Sequence, residues 1–328
     1  MAAECFPLLQ RFPALQSLAP VALCSLPTPV EKFADSTQLF IKRDDLTRGD
    51  QGGNKPRKLE FVLADIQRRQ ANRVITMGAT GTNAGVATAL MCQRQELRCE
   101  VITFPQPDSD IVRLNQKLMR NAGATLTAKG SLFSAALSWY LHPRRLDRKS
   151  YFLYAGCSAP VAIFAYVNAM LELEQQILNG QLPAPKHIVV ATGSGATVAG
   201  MIAGAALMLP KVTVHAIQVA PAKVGPFKAC HQDVVRAMVD EVWHSLRAAD
   251  STLPENCNTQ WLWHDEFLAG GYGVASTETR DAIHIAGESG LQLESTYSGK
   301  AFAAALALTK QQQEPVLFWQ TFARGREA

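Results

Sequence analysis

Residues 187–207 read HIVVATGSGATVAGMIAGAAL, and this stretch decides the fold class. IVV is a short apolar, β-branched run, the composition of a buried strand. TGSG breaks it with residues that favour a turn. ATVAGMIAGAAL then continues in small and apolar residues, a helix with little polar surface. The unit is strand, glycine loop, helix. It recurs at 73–95, RVITMGATGTNAGVATALMCQRQ. CEVITFPQP (99–107) and SDIVRLNQKLMRNAGA (109–124) repeat the pairing, with Ser109 or Asp110 as N-cap and Gly123 as stop. YFLYAGCSAP (151–160) leads into the helix VAIFAYVNAMLELEQQIL (161–178). TVHAIQVAP (213–221), QWLWHD (260–265) and VLFWQTF (316–322) read as later strands, and 234–249, 277–290 and 299–313 as later helices. Upstream, TQLFIKRDD (37–45) is a strand ending in charge and GDQGGN (49–54) is a loop. After Arg57, Leu59, Val62, Leu63 and Ile66 recur at helical spacing. Strands alternating with helices predict an α/β protein with parallel sheets covered on both faces. The Pro- and Leu-rich start, 1–29, is expected to wrap a surface.

Composition bounds the function. The chain has 328 residues, 48% hydrophobic and 18% charged, with a net charge of +4. That length suggests about two domains at roughly 100–200 residues each. So small a charge excess does not point to nucleic acid, and the basic run HPRRLDRK (142–149) reads as a solvated loop. No apolar run approaches the roughly 20 residues that span a bilayer, and no signal peptide is visible, so a cytoplasmic protein is expected. Seven scattered cysteines include no CxxC pair, which fits buried thiols in a reducing compartment. The seven histidines show no paired spacing, so no metal site is expected.

Three elements bear chemistry. In Thr192-Gly193-Ser194-Gly195-Ala196-Thr197, glycines let the backbone approach closely, and the following helix offers unpaired N–H groups. These suit a phosphate. There is no GKS or GKT, and Val198 and the strand TVHAIQVAPA break the dinucleotide fingerprint. A second loop, Gly78-Ala79-Thr80-Gly81-Thr82-Asn83, either grips another anion such as a carboxylate or simply caps its helix. The third is Gly52-Gly53-Asn54-Lys55-Pro56-Arg57-Lys58. A lysine forming a Schiff base must lose its proton from a free pKa of about 10.4, and burial near other cations assists that.

Together these motifs, with KRDD (42–45), GGNKPRKLE (52–60) and TYSGKA (296–301), resemble the pyridoxal-phosphate enzymes of the 1-aminocyclopropane-1-carboxylate deaminase and D-cysteine desulfhydrase family. The resemblance runs from about residue 28 to 318. It implies fold type II, the tryptophan-synthase β-like fold: two three-layer αβα domains with mostly parallel twisted sheets and the cofactor between them. The implied domains are 1–55 with 164–328, and an inserted 56–163. It implies that Lys55 holds pyridoxal phosphate, that 192–197 takes its phosphate, and that Lys58 assists. Asn83 is then expected beside the phenolic oxygen, Thr82 near the substrate carboxylate, and Tyr272 and Tyr297 as the active-site tyrosines. A homodimer acting on a small amino acid is also implied.

Ring-opening members carry Glu directly after the late tyrosine, where this chain has Ser298. Thr321 matches the desulfhydrase branch. Neutral hydroxyls at the pyridine nitrogen imply a weaker electron sink, adequate when a good leaving group departs from Cβ. The resemblance thus implies β-elimination, with D-cysteine giving pyruvate, sulfide and ammonia. The alternatives are ring opening of 1-aminocyclopropane-1-carboxylate, or a catalytically silent cofactor- or amino-acid-binding protein. Ala84, where relatives have Gln or His, and Phe322-Ala323, where they have Gly-Gly, motivate the last.

Overall fold

A computed structural model describes residues 6–34, 36–49, 52–209 and 211–323. Cys5, Asp50 and Gln51 of the first glycine loop, and the terminal RGREA lie outside the described residues. The chain begins with α1 (Pro7–Arg11), β1 (Val30–Lys32) and β2 (Leu39–Arg43), then α2 (Asn54–Arg68). Next come β3 (Arg73–Ala79), α3 (Asn83–Arg94), β4 (Arg98–Phe104), α4 (Asp110–Asn121), β5 (Thr125–Ala128), α5 (Leu132–Tyr140) and β6 (Ser150–Leu153). They are followed by α6 (Pro160–Leu178), β7 (His187–Thr192), α7 (Ala196–Met208), β8 (Thr213–Gln218) and a short hairpin, β9 (Lys223–Val224) and β10 (Phe227–Lys228). The chain closes with α8 (Gln232–Ala249), β11 (Gln260–His264), α9 (Thr277–Glu288), α10 (Ser298–Gln311) and β12 (Val316–Gln320).

Two sheets result. One has the order β1-β2-β12-β7-β8-β11, the other β5-β4-β3-β6. Apart from the antiparallel β1–β2 pair, all their neighbours are parallel. Ile188 and Val190 of β7 enter the core with α6, α7 and α8, while Val189 and Ala191 face α10. Burial on both faces explains the unbroken apolar run of the strand. Ser109 Oγ accepts from Val112 N and caps α4, as its spacing predicts.

The starting segment does wrap the surface, with anchors: Leu8 and Phe12 are buried against α6, and Leu8 N donates to Asn168 Oδ1 at 3.0 Å. Helix α2 starts at Asn54, three residues before the predicted onset. Pro56 is tolerated because its missing N–H falls in the first turn. The run 142–149 is a turn, but Arg145 is not merely solvated: its guanidinium lies 4.4 Å from the Trp139 ring centroid and 4.5 Å from that of Phe152.

The sheet also assembles histidines that look scattered in sequence. His187 Nδ1 lies 3.0 Å from His215 Nε2, and His215 Nδ1 lies 2.9 Å from His264 Nε2. Glu266 Oε1 closes one end, 2.8 Å from His264 Nδ1, and Glu314 stands 3.4 Å from His187 Nε2 at the other.

Candidate active site

A cavity of about 460 Å³ opens where the parallel strands of both sheets end. This is where open α/β sheets leave a crevice for ligands. The turn after β7 supplies Thr192, Gly193, Ser194, Gly195 and Thr197, the turn after β3 supplies Thr82 and Asn83, and Thr321 directly follows β12. The first turn of α2 brings Lys55 and Lys58, and the loops before α9 and α10 bring Tyr272 and Tyr297. Gly53 sets the entry of α2. Its φ is +90°, and a Cβ there would lie 2.6 Å from Thr321 O. The turn lets Asn54 N donate to Thr321 O at 3.1 Å, tying the lysine helix to β12.

Enclosure lowers the pKa of Lys55, since burial disfavours the charged amine. Its Nζ donates to Asn54 Oδ1 at 2.5 Å, and Asn54 Nδ2 donates to Thr197 Oγ1 at 3.0 Å. Asn54 therefore links the lysine to the phosphate-type loop. Burial, followed by the charge of Lys55, brings Lys58 down to about 7. Lys58 Nζ donates to Gly156 O. Gly156 has φ +72°, and a Cβ there would meet Ser194 Oγ at 2.4 Å, so only glycine lets these two turns touch. Ser158 Oγ donates to Ser194 Oγ at 2.7 Å beside it.

Among the described residues, none accepts from the N–H groups of Gly193, Ser194, Gly195, Ala196 or Thr197. They form the unpaired start of α7, a nest for an anion. The second loop is less open. Thr80 N donates to Phe104 O, Thr82 N to Ala79 O, and Gly81 N to Gln106 Oε1. Thr82 is the N-cap of α3, its Oγ1 accepting from Gly85 N at 3.3 Å. Asn83 lines the cavity, and its Oδ1 accepts from Asn115 Nδ2 at 2.8 Å, which leaves its amide N–H groups as donors.

The tyrosines meet, with Tyr272 OH and Tyr297 OH 2.6 Å apart. Burial pushes Tyr272 up to about 12 and Tyr297 well above the ordinary phenol range, so both stay protonated at neutral pH. One hydroxyl donates to the other, and one proton of the pair remains to donate elsewhere. Lys55 Nζ lies 6.0 Å from the Tyr297 ring centroid.

One expected residue is placed differently: Ser298 does not line the cavity. Ala196 is buried and contributes its backbone N–H to the nest at the start of α7. Ser298 is fully buried, and its hydroxyl accepts from Glu294 N at 3.0 Å and faces Glu294 Oε1 at 3.2 Å. Its lone pairs and proton are spent on the turn before α10. Thr321, a neutral residue, does line the cavity. Sequence reasoning missed Asn54, although it stands inside GGNK, and missed Gly156 and Ser158, whose contacts arise only in the fold.

The chain matches the pyridoxal-phosphate dependent enzyme family over residues 21–320, and it belongs to that family. Its cofactor is pyridoxal phosphate. The site fits it: an open N–H nest suits the phosphate, and an enclosed amine of lowered pKa suits the aldehyde. A Pyrococcus furiosus protein whose name assigns it provisionally to the 1-aminocyclopropane-1-carboxylate deaminases is 29% identical over 326 residues, covering 96% of this chain and 93% of its own. The crystal structure of an ACC deaminase homologue superposes with a TM-score of 0.77 at 26% identity, covering 95% of this chain and 94% of that one. The L-serine ammonia-lyase of the fungus Rhizomucor miehei shares the fold, with a TM-score of 0.64, 16% identity, and coverage of 91% of this chain and 93% of its own.

Proposed function

We propose that this enzyme is a lyase that eliminates a leaving group from Cβ of a small amino acid, with D-cysteine, giving pyruvate, sulfide and ammonia, as the first substrate to test. The observation that carries this reading is the hydrogen-bonded tyrosine pair near Lys55, in a cavity whose lining, among the described residues, includes Thr321 but no carboxylate. Pyridoxal phosphate, when bound, supplies the electron sink at Cα. The nest at 193–197 and Lys58 would hold its phosphate, and Lys55 would hold its aldehyde carbon. Lys55 Nζ, bonded to Asn54, would take the proton from the substrate Cα. The Asn83 amide would donate to the cofactor's phenolic oxygen, and the first turn of α3 with Thr82 would receive the substrate carboxylate. The tyrosine pair, which burial keeps protonated, donates its spare proton to the departing group.

Purified protein loaded with pyridoxal phosphate is to be given cysteine of either hand and 1-aminocyclopropane-1-carboxylate. The expected result is pyruvate and sulfide from D-cysteine, lost together with the cofactor absorbance in Lys55→Ala. Release of 2-oxobutanoate from the cyclopropane substrate instead would favour ring opening, and absorbance with no turnover a silent binder. The expected state is a cytoplasmic homodimer. The unpaired thiols of the described cysteines and the apolar side chains of Phe133, Leu137 and Tyr140, exposed on α5, support it. A sedimentation mass of one chain would count against the dimer.

A further inference from the structure

The cavity lining has two chemical parts. One is polar: the lysines, the phosphate nest, the tyrosine pair, Thr82, Asn83 and Thr321. The other is a largely apolar wall formed by Phe104, Pro107, Leu132, Tyr154, Pro221 and Val224. These come from the exits of β4, β6 and β8, the start of α5 and the short hairpin, so both sheets contribute. Two polar side chains beside that wall are engaged within the fold. Gln106 Oε1 accepts from Gly81 N at 3.2 Å, and Ser131 Oγ accepts from Ser134 N at 3.1 Å as the cap of α5. Among the described residues, no Asp, Glu, Arg or His lines the cavity, and the cations that do are Lys55 and Lys58.

Such a wall leaves a charged side chain without a counter-ion, at the cost of desolvating it unpaired. A bare thiol or hydroxyl leaves the apolar surface facing water. An apolar substituent beyond Cβ covers it. We infer that the preferred substrates are S-alkyl and S-aryl cysteines, whose neutral apolar thioether side chain lies against this wall and whose sulfur leaves from Cβ as a thiolate. This rests on the lyase reading above and specifies its leaving group. In the overall reaction the Cα–H and Cβ–S bonds break, and sulfur leaves with the electron pair and takes a proton to give the thiol. One water then converts the three-carbon remainder to pyruvate and ammonium, so no oxidant or reductant is required.

The test uses the cofactor-loaded enzyme with S-benzylcysteine, cysteine and β-chloroalanine, each as both enantiomers, and measures pyruvate. In parallel, calorimetry compares binding of alanine with that of 2-amino-5-phenylpentanoate, in which CH₂ replaces the sulfur. The expected kcat/KM for S-benzylcysteine exceeds that for cysteine on the order of tenfold or more, and the long analogue binds tighter by a similar factor. Leu132→Glu should cut the preference for S-benzylcysteine over β-chloroalanine by about tenfold. Turnover of β-chloroalanine with no preference for the benzyl thioether sinks this inference and leaves the lyase reading standing. Tighter binding of the long analogue without any turnover does the reverse. Equal binding and no turnover defeat both.

Discussion

Ser298 shows how far adjacency in sequence differs from adjacency in space. It follows Tyr297, which lines the cavity, yet its own side chain turns back onto Glu294. That carboxylate also accepts from the backbone N–H groups of Thr296, Tyr297 and Ser298, so it fixes the turn that aims Tyr297. Ser298→Ala should therefore cost about 1–3 kcal/mol, the price of leaving buried polar groups short of a partner. Ser298→Glu puts a second buried carboxylate against Glu294 and should cost more, about 3–5 kcal/mol. Urea unfolding measures both. A Ser298→Glu protein that unfolds like the wild type, but whose cofactor spectrum changes, would return this residue to the pyridine nitrogen.

At the scale of elements, α6 and α7 pack backbone to backbone. A Cβ on Gly200 would lie 2.3 Å from Ile163 O, and one on Gly204 would lie 2.5 Å from Met170 Cβ. Gly200→Ala forces the helices apart, and we expect a net loss of about 1–3 kcal/mol despite the better helix propensity of alanine. Gly287 in α9 has nothing near such a Cβ, so Gly287→Ala should gain up to about 1 kcal/mol. Thermal melts of the two variants should move in opposite directions. The same helix pair was legible in the sequence because buried strands and their helices carry long, strong patterns. Strand β5, four residues at a sheet edge, and α5, whose Phe133, Leu137 and Tyr140 stay exposed, carry no such pattern and went unread. At the site, Lys55, the 192–197 loop and the tyrosines were legible as local motifs. The direction of Ser298 and the contact of Gly156 with Ser194 depend on turns and on chain segments far apart.

For the whole molecule, the histidine chain across β7, β8 and β11 sets a response to acid. Burial, reinforced by His264 and His187, lowers His215 from 6.5 to about 3. Between those values the unfolded chain binds a proton that the folded chain refuses. Stability is therefore fully present above pH 6.5 and falls as pH drops toward 3, by up to roughly 5 kcal/mol. Glu172 acts in the same direction lower down. Burial opposes its charge, but Arg57 and Lys42 outweigh burial and hold it at about 2, so its contribution is lost as pH falls from 4.5 through 2. Urea midpoints taken from pH 7.5 to 4 should fall steadily, and His215→Gln should flatten that slope. A midpoint independent of pH over this range would refute the assignment.

Helix α2 belongs to both sheets at once. Its first turn is bonded to β12 through Thr321 O, and Arg57 is clamped by Asp44 and Glu172. Its later residues Leu59, Val62, Leu63 and Ile66 sit in the core that packs on β3 and β4. In mechanical terms, α2 is a strut fastened at both ends. Lys55 stands on the end bonded beside β12, a neighbour of β7, whose turn carries the phosphate nest. The reacting amine and the nest thus share one support.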